Sequence, residues 1–208
     1  MTFENDLRIS ERMTRIVLRG MQEIIGGAGM LAVADRIKNS QWAEGALPGQ
    51  RLEGLRFIDV SSLQQAFEEL YGSQGARGAA LRSGRSSFIY FLKEFSEETG
   101  FNQLDFRLTP MRKRVLRGLE SMALILSREI GQPIQVQASE IAWTWQIDLC
   151  PECWNRQSLT AACHFTVGLL QEFLGWLSGG KFYLVEEIAC RAKGEPVCLI
   201  RIDQKPLD

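Results

Sequence analysis

"KFYLVEEIACRAKGEPVCLIRID", residues 181–203, is the stretch on which the fold turns. Its two ends, "KFYLVEEIA" (181–189) and "PVCLIRID" (196–203), are rich in β-branched and aromatic residues and predict two strands. Lys193-Gly194 supplies the turn between them. Two strands joined this way bring Cys190 and Cys198 side by side, because a hairpin pairs residues across its ladder. One short stretch thus predicts an antiparallel pair and a meeting point for two thiols.

Working outward, "TAACHFTVGLLQEFLGWLSGG" reads as a helix closed by Gly179 and Gly180. Before it, "PIQVQAS" and "EIAWTWQIDL" alternate with period two and predict two more strands. "TPMRKRVLRGLESMALILSREIG" is the clearest helix. Thr109 can cap it, Pro110 suits its first position, Gly131 ends it, and Met111, Val115, Leu119, Met122 and Leu126 form its apolar face. Near the start, Ile9, Met13, Ile16, Val17, Met21 and Ile24 follow the helical period. "GGAG" (26–29) is expected to end that helix, with "MLAVADRIKNS" forming a shorter one. Residues 40–57 read as a loop, and Ser61 or Ser62 as the cap of a helix through "LQQAFEELYG". A further helix, "AALRSGRSSFIYFLKEF", is expected despite Gly84.

Helices first, then strand, strand, helix, strand, strand, is an α+β arrangement with N-terminal helices packed on a four-stranded antiparallel sheet. One domain is expected over residues 1–208, mainly helical over 1–131 and carrying every cysteine in 132–208. The glycine-rich "GSQGARGAALRSGR" (72–85) is not a phosphate loop. It lacks the lysine and hydroxyl residue after the last glycine and follows a helix rather than a strand. Gly72, Gly75 and Gly78 fit a helix-to-helix turn and close helix packing instead.

The composition, 45% hydrophobic and 24% charged, is that of a globular protein able to bury a core. A formal charge of -1 with dispersed lysines and arginines argues against nucleic acid as partner. The first residues show no secretory signal, and no uninterrupted apolar run reaches the ~20 residues of a spanning helix. A cytoplasmic protein with reduced thiols is expected, and five cysteines, an odd number, argue against a closed disulfide framework.

The cysteines cluster in the chain as Cys150 and Cys153 in "CPEC", Cys163 beside His164, and Cys190 and Cys198, with Glu187 three residues before Cys190. Four thiolates, or three with a carboxylate, would suit tetrahedral zinc. The spacing is not that of a zinc ribbon. Buried, idle thiols and a redox pair at "CPEC" are the competing readings, the latter without a thioredoxin-like βαβ context. Trp143 and Trp145 lie two apart, on one face of their strand, with Phe165, Trp176, Phe182 and Tyr183 on neighbouring elements. They form either an ordinary aromatic core or the lining of a cavity for a flat apolar ligand.

The run from Ala162 to Asp203 resembles the 4-vinyl reductase domain family, whose terminal motif matches Glu187, Cys190, Gly194 and Cys198 in order and spacing. The close resemblance spans about residues 140–203. It implies an α+β ligand-binding fold shared with a subunit family of the TRAPP tethering complex, and a homodimer formed through the helices. Related aromatic-responsive sensor domains imply structural zinc held by Cys163, Glu187, Cys190 and Cys198, closing the mouth of a ligand pocket. By the reading of the residues themselves, Trp143, Trp145, Phe165, Trp176 and Tyr183 are the candidates to line it. Cys150 and Cys153 fall outside that set; they could replace Glu187, bind a second metal, or act as a thiol pair. The sensors' ATPase module has no counterpart here. Nor has their phenol-binding histidine, since His164 is the sole histidine.

The function the resemblance implies is a zinc-containing binding or accessory protein for a hydrophobic small molecule. A tetrapyrrole is the leading candidate, with a role and protein partner in pigment synthesis or photosystem assembly. A vinyl reductase or its accessory subunit is one alternative, although no nicotinamide or flavin fingerprint is present and a four-ligand zinc leaves no open position. A dimeric assembly adaptor whose groove is filled by its own side chains is the other.

Overall fold

The helical periodicity of the N-terminal part folds as α1 (Glu11–Arg36), α2 (Phe57–Glu94), the short α3 (Ser96–Thr99) and α4 (Leu104–Leu108), and α5 (Met111–Ile130). The computed structural model describes residues 7–38 and 53–207. Ser10 caps α1 by accepting from the Met13 N–H, and Met13, Ile16, Val17 and Met21 are buried on its inner face. Gly26 bends α1 instead of ending it. At φ 65 and ψ 178 it occupies backbone space essentially reserved for glycine, and Gly72 does the same within α2 at φ 69 and ψ 168.

Helix α2 begins at Phe57, earlier than the serines suggested, because Asp59 accepts from the Arg56 N–H and closes the first turn. Ser61 and Ser62 lie inside the helix and donate back to the Ile58 carbonyl. The loop expected over 40–57 falls mainly outside the described residues. Pro110 stands at the N-cap of α5, one place before its expected position, and Gly131 ends the helix in the left-handed region.

Four strands follow: β1 (Ile134–Ala138), β2 (Ala142–Ile147), β3 (Tyr183–Ala189) and β4 (Cys198–Pro206), with α6 (His164–Ser178) between β2 and β3. The sheet order is β1-β2-β4-β3, antiparallel throughout. The register pairs Trp143 with Ile202, Trp145 with Ile200 and Ile147 with Cys198. All six are buried against the helices, while the intervening Thr144, Gln146, Leu199 and Arg201 are half-exposed on the opposite face. The fold is therefore α+β, with helices packed on a four-stranded antiparallel sheet.

Helix α2 packs between α1 and α6, and glycines set both approaches. A Cβ on Gly84 would stand 2.0 Å from the Phe165 carbonyl oxygen, one on Gly168 2.0 Å from that of Leu81, and one on Gly20 1.9 Å from the Ser87 hydroxyl. By length and composition α1 contains a window apolar enough to cross a membrane, but 44% of that window is buried inside the protein.

Candidate metal centre and adjoining cavity

Four separate segments deliver the thiols. The chain leaves β2 through Leu149 into Cys150 and a 3-10 turn, Pro151–Cys153. Cys163 is the N-cap of α6. Cys190 follows β3 and opens the turn Arg191–Lys193, which Gly194 closes at φ 94, so that Cys198 starts β4. All five side chains are buried. Sulfur separations are 3.3 Å for Cys150–Cys163, 3.3 Å for Cys153–Cys198 and 3.5 Å for Cys163–Cys198. Two foursomes each have all their donor atoms within 4.8 Å of one another: Cys163, Glu187, Cys190 and Cys198, and Cys150, Cys153, Cys163 and Cys198.

Glu187 reaches the cluster from β3. One carboxylate oxygen accepts the Cys163 N–H at 2.8 Å; the other is buried without a partner. Burial pushes its carboxyl up to about 8, against the hydrogen bonds from Cys163. Among the thiols, Cys153 is pulled down because its anion accepts from Cys150 first and then from Cys163, Cys190 and Cys198. Cys163 and Cys198 are driven up, chiefly by their contacts with Cys150. Against Cys153, which raises it most, Cys190 is lowered to about 6 by its contacts with Cys163 and Cys198. Cys150 is raised to about 11, so the negative charge gathers on Cys153 and Cys190.

A tetrahedral zinc with Zn–S bonds of about 2.3 Å holds its sulfurs about 3.8 Å apart. The thiols stand close to that spacing, they are soft donors, and Glu187 keeps a free oxygen. The residues present fit the metal, and either foursome offers a closed set of ligands.

Glu152, inside "CPEC", has a role that sequence reasoning missed. Its carboxylate accepts the N–H groups of Phe165 at 2.9 Å and Thr166 at 3.0 Å, together with the Thr166 hydroxyl, and so caps the first turn of α6. Burial pushes it up to about 8 despite these donors. Local capping signals could not reveal it, since the acid comes from a neighbouring turn rather than from the helix's own start. His164 belongs to neither foursome. It lines a polar groove of about 380 Å³ with Gln64, Arg77, Gln171 and Glu187, and burial, then Arg77 and Arg156, lowers it to about 4.

Between helices and sheet lies an apolar cavity of about 50 Å³, bordered by Met13, Val17, Val60, Ile130, Trp145 and Phe165 among others, with Pro151 and Glu152 at its edge. Of the residues expected to line a pocket, Trp145 and Phe165 border it. Trp143 and Tyr183 are buried elsewhere in the core, and Trp176 packs on Phe88 and Phe101 beside a separate surface groove. The Trp145 indole N–H is buried without a partner.

No curated protein sequence matches the chain. Among solved structures, the phenol-responsive sensory domain of the transcription activator PoxR, with phenol, aligns at TM-score 0.55 and 17% identity, covering 83% of this chain and 88% of that one. An H-NOX protein studied for heme distortion aligns at TM-score 0.58 and 12% identity, covering 95% of each chain. An H-NOX protein from S. oneidensis in the Fe(II)NO state gives TM-score 0.58 at 11% identity, over 94% and 100%. At these identities the likeness is one of fold. The cysteine-bearing part is matched in sequence as well: residues 143–204 fit the model of the 4-vinyl reductase domain, the family to which the pattern of Glu187, Cys190, Gly194 and Cys198 pointed.

Proposed function

We propose that this chain is a metal-stabilised binding protein for a small hydrophobic molecule. The observation that carries the reading is the cavity between helices and sheet. Its walls are apolar, and one of them is Trp145, whose buried indole N–H has no partner. A ligand with a flat apolar body and one acceptor atom would bury its surface there and satisfy that donor. Zinc held by Cys163, Glu187, Cys190 and Cys198 would fix the start of α6 and the β3–β4 turn. The phenol of the PoxR sensory domain and the heme of the H-NOX study are consistent with such a ligand in this fold.

A small aromatic compound needs a modest widening of a cavity of about 50 Å³. A tetrapyrrole, the candidate for a role in pigment synthesis or photosystem assembly in the cytoplasm, needs the helices to part from the sheet. Titration of the metal-loaded protein with indole and with protoporphyrin, followed by tryptophan fluorescence, tests both. Saturable quenching at one ligand per chain by either supports the reading, and protoporphyrin alone selects the tetrapyrrole. Quenching by neither removes it.

The narrowness of the cavity favours a second reading, a dimeric assembly adaptor whose groove is filled by its own side chains. Leu184 and Ile188, exposed on the outer strand β3, and Phe182 just before it are the apolar surface such an adaptor would use. A dimer that binds neither probe, and is lost on Leu184→Glu, would support it.

A further inference from the structure

We propose that the five cysteines and Glu187 hold two thiophilic divalent cations, with Cys163 and Cys198 bridging between them. The proposal rests on the metal-stabilised reading above and enlarges it from one ion to a pair. Its basis is the overlap of the two foursomes, which have Cys163 and Cys198 in common. The sulfurs of these two cysteines lie 3.5 Å apart.

A four-coordinate ion can take only one foursome. In the all-cysteine set it leaves Cys190 and the unpartnered oxygen of Glu187 beside it without a role. In the set containing Glu187 it leaves Cys150 and Cys153, both buried, as idle thiols in contact with its own ligands. Two tetrahedra sharing the Cys163–Cys198 edge use every donor once or as a bridge. Cys150 and Cys153 then complete one ion, and Glu187 and Cys190 the other. A thiolate has the lone pairs to bridge, and the soft donor set selects zinc or a similar cation.

Charge and spacing agree with this arrangement. Two divalent cations offset four of the six negative charges that the ligands carry when ionised. Part of the remainder meets the Arg191 N–H, 3.4 Å from the Cys198 sulfur, and the N-terminal end of α6, where Cys163 is the cap. An iron–sulfur cluster would hold cysteines at its outer corners, around its own iron and sulfide atoms. The 4.8 Å within which each foursome lies is too tight for that and suits bare ions sharing sulfur.

The second ion has a structural consequence. It fastens the Pro151–Cys153 turn, and with it Pro151 and Glu152, which border the apolar cavity. Loading of the Cys150–Cys153 side thereby sets one wall of the binding site.

The test is the metal content of the full chain purified without added metal or chelator, by elemental analysis and native mass spectrometry, followed by cadmium NMR of the exchanged protein. Two zinc ions per chain are expected, falling to one in Cys150→Ser and in Cys153→Ser. Two cadmium resonances coupled to each other through the shared sulfurs are expected as well. One zinc per chain, whichever variant releases it, overturns the pair and leaves the single-metal reading standing. A folded chain with no metal and five titratable thiols overturns both. Should a serine variant fail to fold, the wild-type stoichiometry and the cadmium spectrum decide.

Discussion

At Trp145 the protein keeps a donor it does not use. The ring is fully buried and its N–H has no partner. A buried unsatisfied donor destabilises by roughly 1–3 kcal/mol. Trp145→Phe keeps most of the apolar body, so the ligand-free protein is expected to gain about 1 kcal/mol in urea unfolding, less the loss from its smaller ring. The same variant is expected to weaken binding of ligands that carry an acceptor and to spare purely apolar ones. Loss of both kinds of binding together would instead mark Trp145 as a packing residue. Glu152 and Glu187 make a second prediction, for protein stripped of metal. Both folded carboxyls sit near 8, above their ordinary 4.5, so the protonated forms favour folding. Their contribution is complete below about pH 4.5 and is lost as pH rises through 8. His164, lowered to about 4, acts in the opposite sense, losing stability as pH falls from its ordinary 6.5 through 4. Cys153 and Cys190, both pulled down, add stability with rising pH over the range in which the carboxyls lose it. The carboxyls are therefore best read directly: carbon-13 NMR of chelated protein should show both titrating near 8. Carboxyl signals that titrate near the ordinary 4.5 would show that neither is held neutral.

At the scale of elements, the α2–α6 crossing is the contact least tolerant of change. Gly84→Ala would drive a methyl into the Phe165 carbonyl, and backbone cannot step aside as a side chain can. Overpacking of this kind costs about 1–3 kcal/mol or more, and urea unfolding should show at least about 2. A variant as stable as the parent would mean that the helices can separate freely. This crossing also marks where sequence reasoning stops. Apolar period and turn chemistry located the four strands and the main helices, because each of those signals lies within a few residues of what it specifies. Gly84 read only as a tolerated blemish, since the atom it accommodates belongs to a residue far along the chain. Gly26 read as a stop and is a bend, for a glycine at positive φ serves either purpose. The thiols were legible as a group by their crowding in sequence. That Cys150 and Cys153 touch Cys163 and Cys198 depends on how β2 leads into the Pro151–Cys153 turn, which no spacing rule contains.

Over the whole molecule, a metal held by these donors would tie together segments that lie far apart in the chain. Its candidate ligands come from the turn after β2, the start of α6, the end of β3 and the start of β4. Chelation is therefore expected to speed amide exchange over residues 150–163 and 187–199, while the buried centre of α1, α2 and α5 stays protected. Uniform acceleration throughout would mean that the two parts unfold as one unit.

Strand β4 lies between β2 and β3, and both precede it in the chain. On the ribosome the sheet therefore cannot assemble in the order of synthesis. Until Cys198 to Pro206 emerge, β2 has one open edge, β3 has no neighbour at all, and the last thiol is missing from the cluster. The nascent helices have to wait with an apolar face uncovered, and closing that face and completing the ligand set become a single late event.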